Sequence, residues 1–363
     1  MTDAEIAIAG VVPRAVVTPR DVDELAATVA ALHAERKAFA FVGGGTELEL
    51  GYAPRALDTV VRTTALRRVV DYAPEDQTIT VEAGITFAEL DRVLAEHGQM
   101  LPLDVPDRER TTVGGALATN AYGPRRQRYG TAKDLIVGVR LVRPDGVLVR
   151  GGGKVVKNVA GFDLPKLAVG SLGTLFGIVE ATVRVYPIPE AHARVVVTLT
   201  SHDATASTAG AFVARRLEPE TLTAYDGRTL VAEFAGTAAG VAEQRAAAET
   251  LLRELGATLV DTQAAGARAG AWRARLAAPP AATPYGEVAY PLLGIAWRIA
   301  DAPLDVAALR REANAVVHAL PLASRPHYDV WGPPPPSFPL MRALKATFDP
   351  HGLCNPGRFV GGL

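Results

Sequence analysis

The chain of 363 residues has a single cysteine, Cys354. One thiol excludes an internal disulfide framework and any multi-cysteine metal or iron–sulfur site built from this chain alone. No charge of either sign is in excess, with 38 Lys plus Arg against 39 Asp plus Glu. That balance, with arginines dispersed rather than striped, leaves no electrostatic footprint for nucleic acid or anionic lipid. No eighteen apolar residues run uninterrupted, so no membrane-spanning helix is expected. The opening Met-Thr-Asp-Ala-Glu lacks the basic and apolar regions of a signal peptide. The expected compartment is the cytoplasm, peripheral to the inner face of the membrane only through a partner. The seven histidines are scattered singly with no His-x-His, so no metal site is expected. No repeat of fixed period is present.

What is there is apolar enough for a soluble globular protein, 48% hydrophobic against 21% charged, and long enough for two domains. The segment Thr18-Pro19-Arg20-Asp21 has the residues of a helix start, with Thr18 as N-cap and Pro at N1. Val22, Leu25, Val29 and Leu32 then fall on one helical face. Residues 39–42 form a short buried strand that runs into Gly43-Gly44-Gly45-Thr46. Strands follow near 57–61, 68–72 and 78–82. Thr86 and Glu89 make a capping box for a helix that carries Leu90, Val93 and Leu94 inward and stops at Gly98. A glycine-rich stretch, 111–130, precedes a hairpin over 135–142 and 147–149 turned by Pro144-Asp145-Gly146. A short helix near 163–169 and a strand over 177–186 close the first half, and Pro187-Ile188-Pro189 is a linker.

The second half is alanine-rich. Its elements, a strand at 194–199, a helix at 204–217, strands at 222–225 and 230–235, a helix at 238–255 and a strand at 258–261, make the β-α-β-β-α-β order of a ferredoxin-like split unit. Strands near 288–290 and 295–299 and a helix over 304–320 extend it. A proline-rich loop, 332–336, leads to a last helix and a tail. The expected domains are 1–188, 189–330 and a C-terminal segment, 331–363, that returns to the first.

Three glycine clusters invite comparison with phosphate-binding patterns. Gly43-Gly44-Gly45-Thr46 follows a strand, but Glu47 and Leu48 stand where G-x-G-x-x-G needs small residues. Gly151-Gly152-Gly153-Lys154 lacks the first glycine of a P-loop, since Leu148 is there, and Val155 replaces its Ser/Thr. What remains is the strand with its GGGT and, some seventy residues on, Thr111-Thr112-Val113-Gly114-Gly115-Ala116-Leu117-Ala118-Thr119-Asn120. Both are poor in side chains, so backbone N–H groups of the two can point at one diphosphate. The second opens a short helix whose N-terminal dipole favours an anion.

A third marker is Lys157-Asn158-Val159-Ala160-Gly161-Phe162-Asp163-Leu164 with Gly170-Ser171-Leu172-Gly173-Thr174-Leu175-Phe176-Gly177-Ile178-Val179. With these the sequence resembles the FAD-binding module of the vanillyl-alcohol-oxidase superfamily, the PCMH type. The K-N-V-A-G-[FY]-D run resembles the E subunit of glycolate oxidase. The tail Asp349-Pro350 to Asn355-Pro356-Gly357-Arg358 is similar to the D-P-x-x-x-x-N-P-G-[RK] ending of the superfamily. The resemblance implies an α+β fold, a two-subdomain PCMH-type FAD-binding domain followed by an α+β, ferredoxin-like cap. It implies that Val42, Gly43, Gly44, Gly45 and Thr46 wrap the FAD pyrophosphate from one side. Thr112, Gly114, Gly115, Thr119 and Asn120 would close it from the other. Gly173 to Ile178 would lie along the rings, and Lys157 and Asn158 near the flavin end. No His adjoins GGGT and no Cys lies in the second loop, so FAD is expected to be held non-covalently.

Oxidation of a small 2-hydroxy acid such as glycolate or D-lactate, the activity the resemblance implies, passes hydride to flavin N5. It needs a cation for the carboxylate and a base for the hydroxyl proton. The cations on offer in the second half are Arg273, Arg275, Arg298 and Arg325. Arg298 is selected, because it interrupts the apolar strand around it. His327, beside Tyr328, is the expected proton acceptor. The resemblance also implies a sister flavoprotein and an iron–sulfur subunit as partners. A non-catalytic FAD-bearing assembly subunit and a stand-alone flavin oxidase on another alcohol are the alternatives.

Overall fold

The computed structural model describes residues 6–153, 163–201, 203–260, 272–278 and 286–363. The chain divides into two compact units. One comprises Met1–Gly123, Tyr129–Ile188 and Pro333–Leu363; the other comprises Pro124–Arg128 and Pro189–Gly332. The fold is α+β.

In the first unit a helix spans Val22–Ala34, and its N-cap is Asp21, not Thr18. The Asp21 carboxylate accepts the amide of Glu24 at 2.8 Å, satisfying a helix-end donor that a threonine three residues earlier could not reach. Val22, Leu25, Val29 and Leu32 are buried along this helix as the spacing predicts. They pack with Phe39, Val61, Val142, Val179 and Leu353 in one cluster. Leu25 is fully buried, so its truncation to alanine would cost about 2–5 kcal/mol. Behind the helix a parallel three-stranded sheet places Thr59–Arg62 between Ala15–Val17 and Phe39–Val42. The last strand is apolar throughout, as a strand covered on both faces must be.

A five-stranded antiparallel sheet forms the other part of this unit, in the order Val69–Ala73, Thr78–Glu82, Gly177–Arg184, Ile136–Val142, Leu148–Gly152. The helix Phe87–Ala95 carries the full Thr86–Glu89 capping box and buries Phe87, Leu90 and Leu94 against this sheet's core. Gly146, φ +85°, turns the Ile136–Gly152 hairpin. A side chain there would strike Ala26 and Ala30 of the first helix, so the glycine is needed both for its dihedral and for the close approach.

The second unit is built on one eight-stranded antiparallel sheet. Its first four strands run Thr258–Leu259, Ala191–Thr198, Thr229–Gly236, Thr221–Tyr225 across the sheet. With the helices Asp203–Ala214 and Ala238–Glu254 they make the ferredoxin-like unit. The remaining strands, Val288–Tyr290, Ile295–Ala300, Trp272–Ala277 and Asn314–Ala319, continue the same sheet.

Two expectations fail in this half. The helix over 304–320 is only Val306–Glu312; Asn314–Ala319 is a strand paired with Trp272–Ala277. The β-branched pair Val316-Val317 and a sheet edge to complete outweigh the alanine-rich helical pattern. The strand Trp272–Ala277 is absent from the sequence reading, because its arginine–alanine alternation carries little apolar signal.

Candidate functional site

The first unit gathers the glycine loops around one cavity. The strand Phe39–Val42 delivers Gly43–Thr46 to its rim, and Gly45 takes φ +70° to turn the loop. The second loop ends in Thr112, N-cap of the helix Val113–Thr119, whose hydroxyl accepts the Gly115 amide at 3.2 Å. The two loops touch. A β-carbon on Gly43 would overlap the Thr112 hydroxyl, and one on Gly44 would overlap the Arg110 carbonyl. The Thr111 hydroxyl donates to that of Thr46 at 3.1 Å. Gly43 and Gly44 are therefore small because a neighbouring backbone or side chain occupies the space of a side chain. Gly115 differs: its β-carbon would meet only the Thr112 hydroxyl, at 3.1 Å, and it faces the cavity.

The cavity has about 870 Å³ of atom-free space, its open mouth included. Val42, Gly43, Gly44, Gly45, Thr46, Thr112, Gly114, Gly115, Thr119, Gly173 and Ile178 all line it. Asn120 does not; it caps the short helix in the left-handed conformation, φ 51°. Lys157 and Asn158 lie outside the described residues.

The sequence reading missed Phe41, Leu172, Asn355 and Arg358 as lining residues. For the last two a signal existed, since the Asn-Pro-Gly-Arg ending had been matched to the superfamily without being assigned to the site. Arg358 gives its guanidinium to the carbonyls of Leu48, Leu50 and Tyr52 at 3.1, 2.6 and 3.1 Å. Cys354 packs behind the cavity wall, its thiol donating to the Gly173 carbonyl at 3.1 Å. Burial, against the opposing pull of the Lys345 ammonium, pushes that thiol up to about 12.

The remaining candidates belong to the second unit. Cross-strand pairing puts Arg298 opposite Ala274, on the sheet face that also carries Ala296. Ala274 and Leu276 on that face pack with Leu309 of the helix Val306–Glu312. The Arg298 Nε stands 3.7 Å from the Glu287 carboxylate. Arg273 and Arg275 point to the other face. There the Trp297 and His318 rings meet edge-on at 4.8 Å, and the Arg273 guanidinium lies 5.8 Å from the Trp297 ring centre. Burial, then the charges of Arg275 and Arg273, hold the His318 imidazolium well below the ordinary range, so this ring is neutral. His327 lines a separate groove with Arg310, Tyr328 and Asp329, and Arg298 is not part of it.

The loops, the cavity and the tail correspond to a flavoprotein. Residues 13–152 match the family described as FAD binding domain, and residues 334–359 match the C-terminal domain of FAD linked oxidases. The two matched segments are those of an FAD-linked oxidase, and they support FAD as the cofactor. Its similarities are of the glycolate-oxidase type. It is 32% identical over 219 residues to glycolate oxidase subunit GlcD of Bacillus subtilis (strain 168), covering 60% of this chain and 47% of that one. It is 40% identical over 126 residues to glycolate oxidase subunit GlcE of Escherichia coli (strain K12), covering 34% and 36%. D-lactate dehydrogenase of Archaeoglobus fulgidus (strain ATCC 49558 / DSM 4304 / JCM 9628 / NBRC 100126 / VC-16) is 35% identical over 182 residues, covering 49% and 41%. The chain spans less than half the length of these curated relatives. Among solved structures, alkyldihydroxyacetonephosphate synthase shares the fold, with TM-score 0.65 at 17% identity over 94% of this chain and 75% of that one.

Among the described residues no helix is long and apolar enough to cross a membrane.

Proposed function

We propose that this chain is an FAD-dependent oxidoreductase subunit of a glycolate-oxidase-like complex, and that its substrate is a small 2-hydroxy acid, glycolate or D-lactate. The observation that carries the reading is the meeting of two side-chain-poor loops at one cavity, where Gly115 leaves room for a ligand and Gly43 and Gly44 bring the loops into contact. Such walls suit a diphosphate, which is bound by backbone N–H groups rather than by side chains. Residues 42–46 and 112–119 would hold FAD there without a covalent bond. Bound FAD supplies the hydride acceptor.

In the second unit Arg273 and Arg275 are the groups best suited to a carboxylate, because guanidinium donors form a bidentate fork. His318 is kept neutral by burial and by those two charges, which makes it a weak base, so His327 stays the candidate for taking the hydroxyl proton. Arg298 stays as a weaker candidate for the carboxylate. The names of the GlcD and GlcE relatives support a complex of several subunits, and electrons would leave through an iron–sulfur partner.

Anaerobic addition of glycolate or D-lactate to the flavin-loaded chain tests the reading. Bleaching of the flavin band by either acid is the expected result. A flavin that stays oxidised with both acids, alone and with co-purified partners, would contradict it.

A further inference from the structure

The loop Gly170–Gly177 is a wall between the cavity and the C-terminal segment. Leu172 and Gly173 stand at φ 51° and +63°, and Leu172, Gly173 and Phe176 line the cavity from this loop. Its three successive carbonyls, those of Leu172, Gly173 and Thr174, each accept from a side chain of the C-terminal segment. The Asn355 amide donates to Leu172 at 2.6 Å, the Cys354 thiol to Gly173 at 3.1 Å, and the Lys345 ammonium to Thr174 at 2.6 Å.

Lys345 is 8% exposed, so it cannot serve as an ordinary surface lysine. Its ammonium also donates to Asp349 at 2.6 Å and to the Cys354 carbonyl at 2.9 Å, which uses all three of its protons. Asp349, 2% exposed, accepts in turn from the amides of Leu353 and Cys354 at 3.0 and 2.9 Å. The ion pair therefore fixes both the turn that carries Cys354 and Asn355 and the loop that those residues grip.

A buried ion pair is a poor stabiliser, since desolvation offsets most of its attraction and an apolar pair of similar volume is often as stable. What it does supply is a fixed geometry. With an apolar residue at 345 on the helix Phe338–Phe348, the Thr174 and Cys354 carbonyls would have no donor from this side chain to hold their direction. Because a peptide plane is rigid, fixing the carbonyls of 172–174 on the tail side also fixes the orientation of the intervening amides relative to the cavity.

We propose that Lys345 and Asp349 are positioning residues for the cofactor, acting through the loop carbonyls of 172–174, and that the C-terminal segment thereby sets the affinity for FAD. This rests on the reading that FAD occupies the cavity.

The test uses the full chain, with FAD as the probe. The double variant Lys345→Met/Asp349→Asn removes both charges and keeps an acceptor for one of the two amides, which the carboxylate holds through its two different oxygens. Its apoprotein should stay folded with a lowered melting temperature, since the Thr174 and Cys354 carbonyls and one amide lose their partners, while the FAD dissociation constant rises by roughly tenfold or more, the change expected when a charged hydrogen bond is lost. The visible circular dichroism of the bound flavin should change with it. A second pair keeps the test decisive should the double variant not fold. Cys354→Ala should weaken FAD binding by about threefold, and Cys354→Ser, which keeps a hydroxyl donor for Gly173, should recover most of the loss. FAD binding within about twofold of wild type in the folded double variant would overturn the proposal. So would equal affinities for Cys354→Ala, Cys354→Ser and wild type. A wild-type chain that takes up no FAD would instead remove the cofactor assignment on which the proposal stands.

Discussion

Gly44 and Arg110 lie so close that a single added β-carbon on Gly44 would overlap the Arg110 carbonyl oxygen. The first glycine loop is thus seated on the backbone of the segment that leads into the second. Gly44→Ala must push the two apart. The expected result is a loss of stability of about 1–3 kcal/mol, as for overpacking a core, together with loss of FAD through gel filtration. Thermal melting and the retained flavin absorbance measure the two effects. Unchanged values for both would mean that the loops do not need this contact.

Gly115→Val separates cofactor binding from loop packing. Only the Thr112 hydroxyl crowds that position, so the branched side chain would extend toward the cavity that Gly115 lines. The variant should keep its melting temperature within a few degrees, a change of about 1 kcal/mol or less, and yet hold no flavin. Flavin bound as tightly as in the wild type would show that the second loop is not at the cofactor.

How much of this could be read beforehand depended on how local each signal is. The capping box at Thr86 and Glu89, the buried face of Val22, Leu25, Val29 and Leu32, and the order of the ferredoxin-like unit all follow from residues close in sequence. The contact of Gly43 with Thr112 joins residues far apart and could only be inferred from a shared chemistry. The strand Asn314–Ala319 was taken for helix because its alanines favour one, and the deciding factor, its partner Trp272–Ala277, is a long-range pairing with little apolar signature of its own. Arg298 stands out among apolar neighbours in the sequence, and the register places it on the face with Ala274 and Ala296 and turns Arg273 and Arg275 the other way.

The register leads to a comparison of arginines. Arg275→Ala should raise the KM for the 2-hydroxy acid by about tenfold or more, the usual size for loss of a charge-assisted hydrogen bond to a carboxylate, and leave FAD bound. Arg298→Ala should change KM by less. Steady-state kinetics on the flavin-loaded protein checks the order, and a larger effect at Arg298 would reverse the assignment of the carboxylate cation.

Cys354 gives a prediction for pH. Its native thiol is pushed from 9.0 up to about 12, by burial first. A raised native value means that above pH 9 the unfolded chain releases this proton while the native chain retains it. The contribution to stability is therefore complete below pH 9 and is lost as the pH climbs toward 12. Denaturant unfolding across that range should show a steeper alkaline loss for the wild type than for Cys354→Ala. The native thiol should also resist alkylation at pH 8, since the thiolate is the reactive form, and react fully in denaturant. Rapid labelling of the folded protein would refute the buried assignment.

The central claim is that the loops at 42–46 and 112–119 converge on one FAD diphosphate. Titration of the purified apo-chain with FAD, followed by flavin fluorescence, tests it most directly when wild type and Gly115→Val are run side by side. One FAD bound per wild-type chain and none in the folded variant is the predicted result. Equal binding by both, or no binding by the wild type, would contradict it.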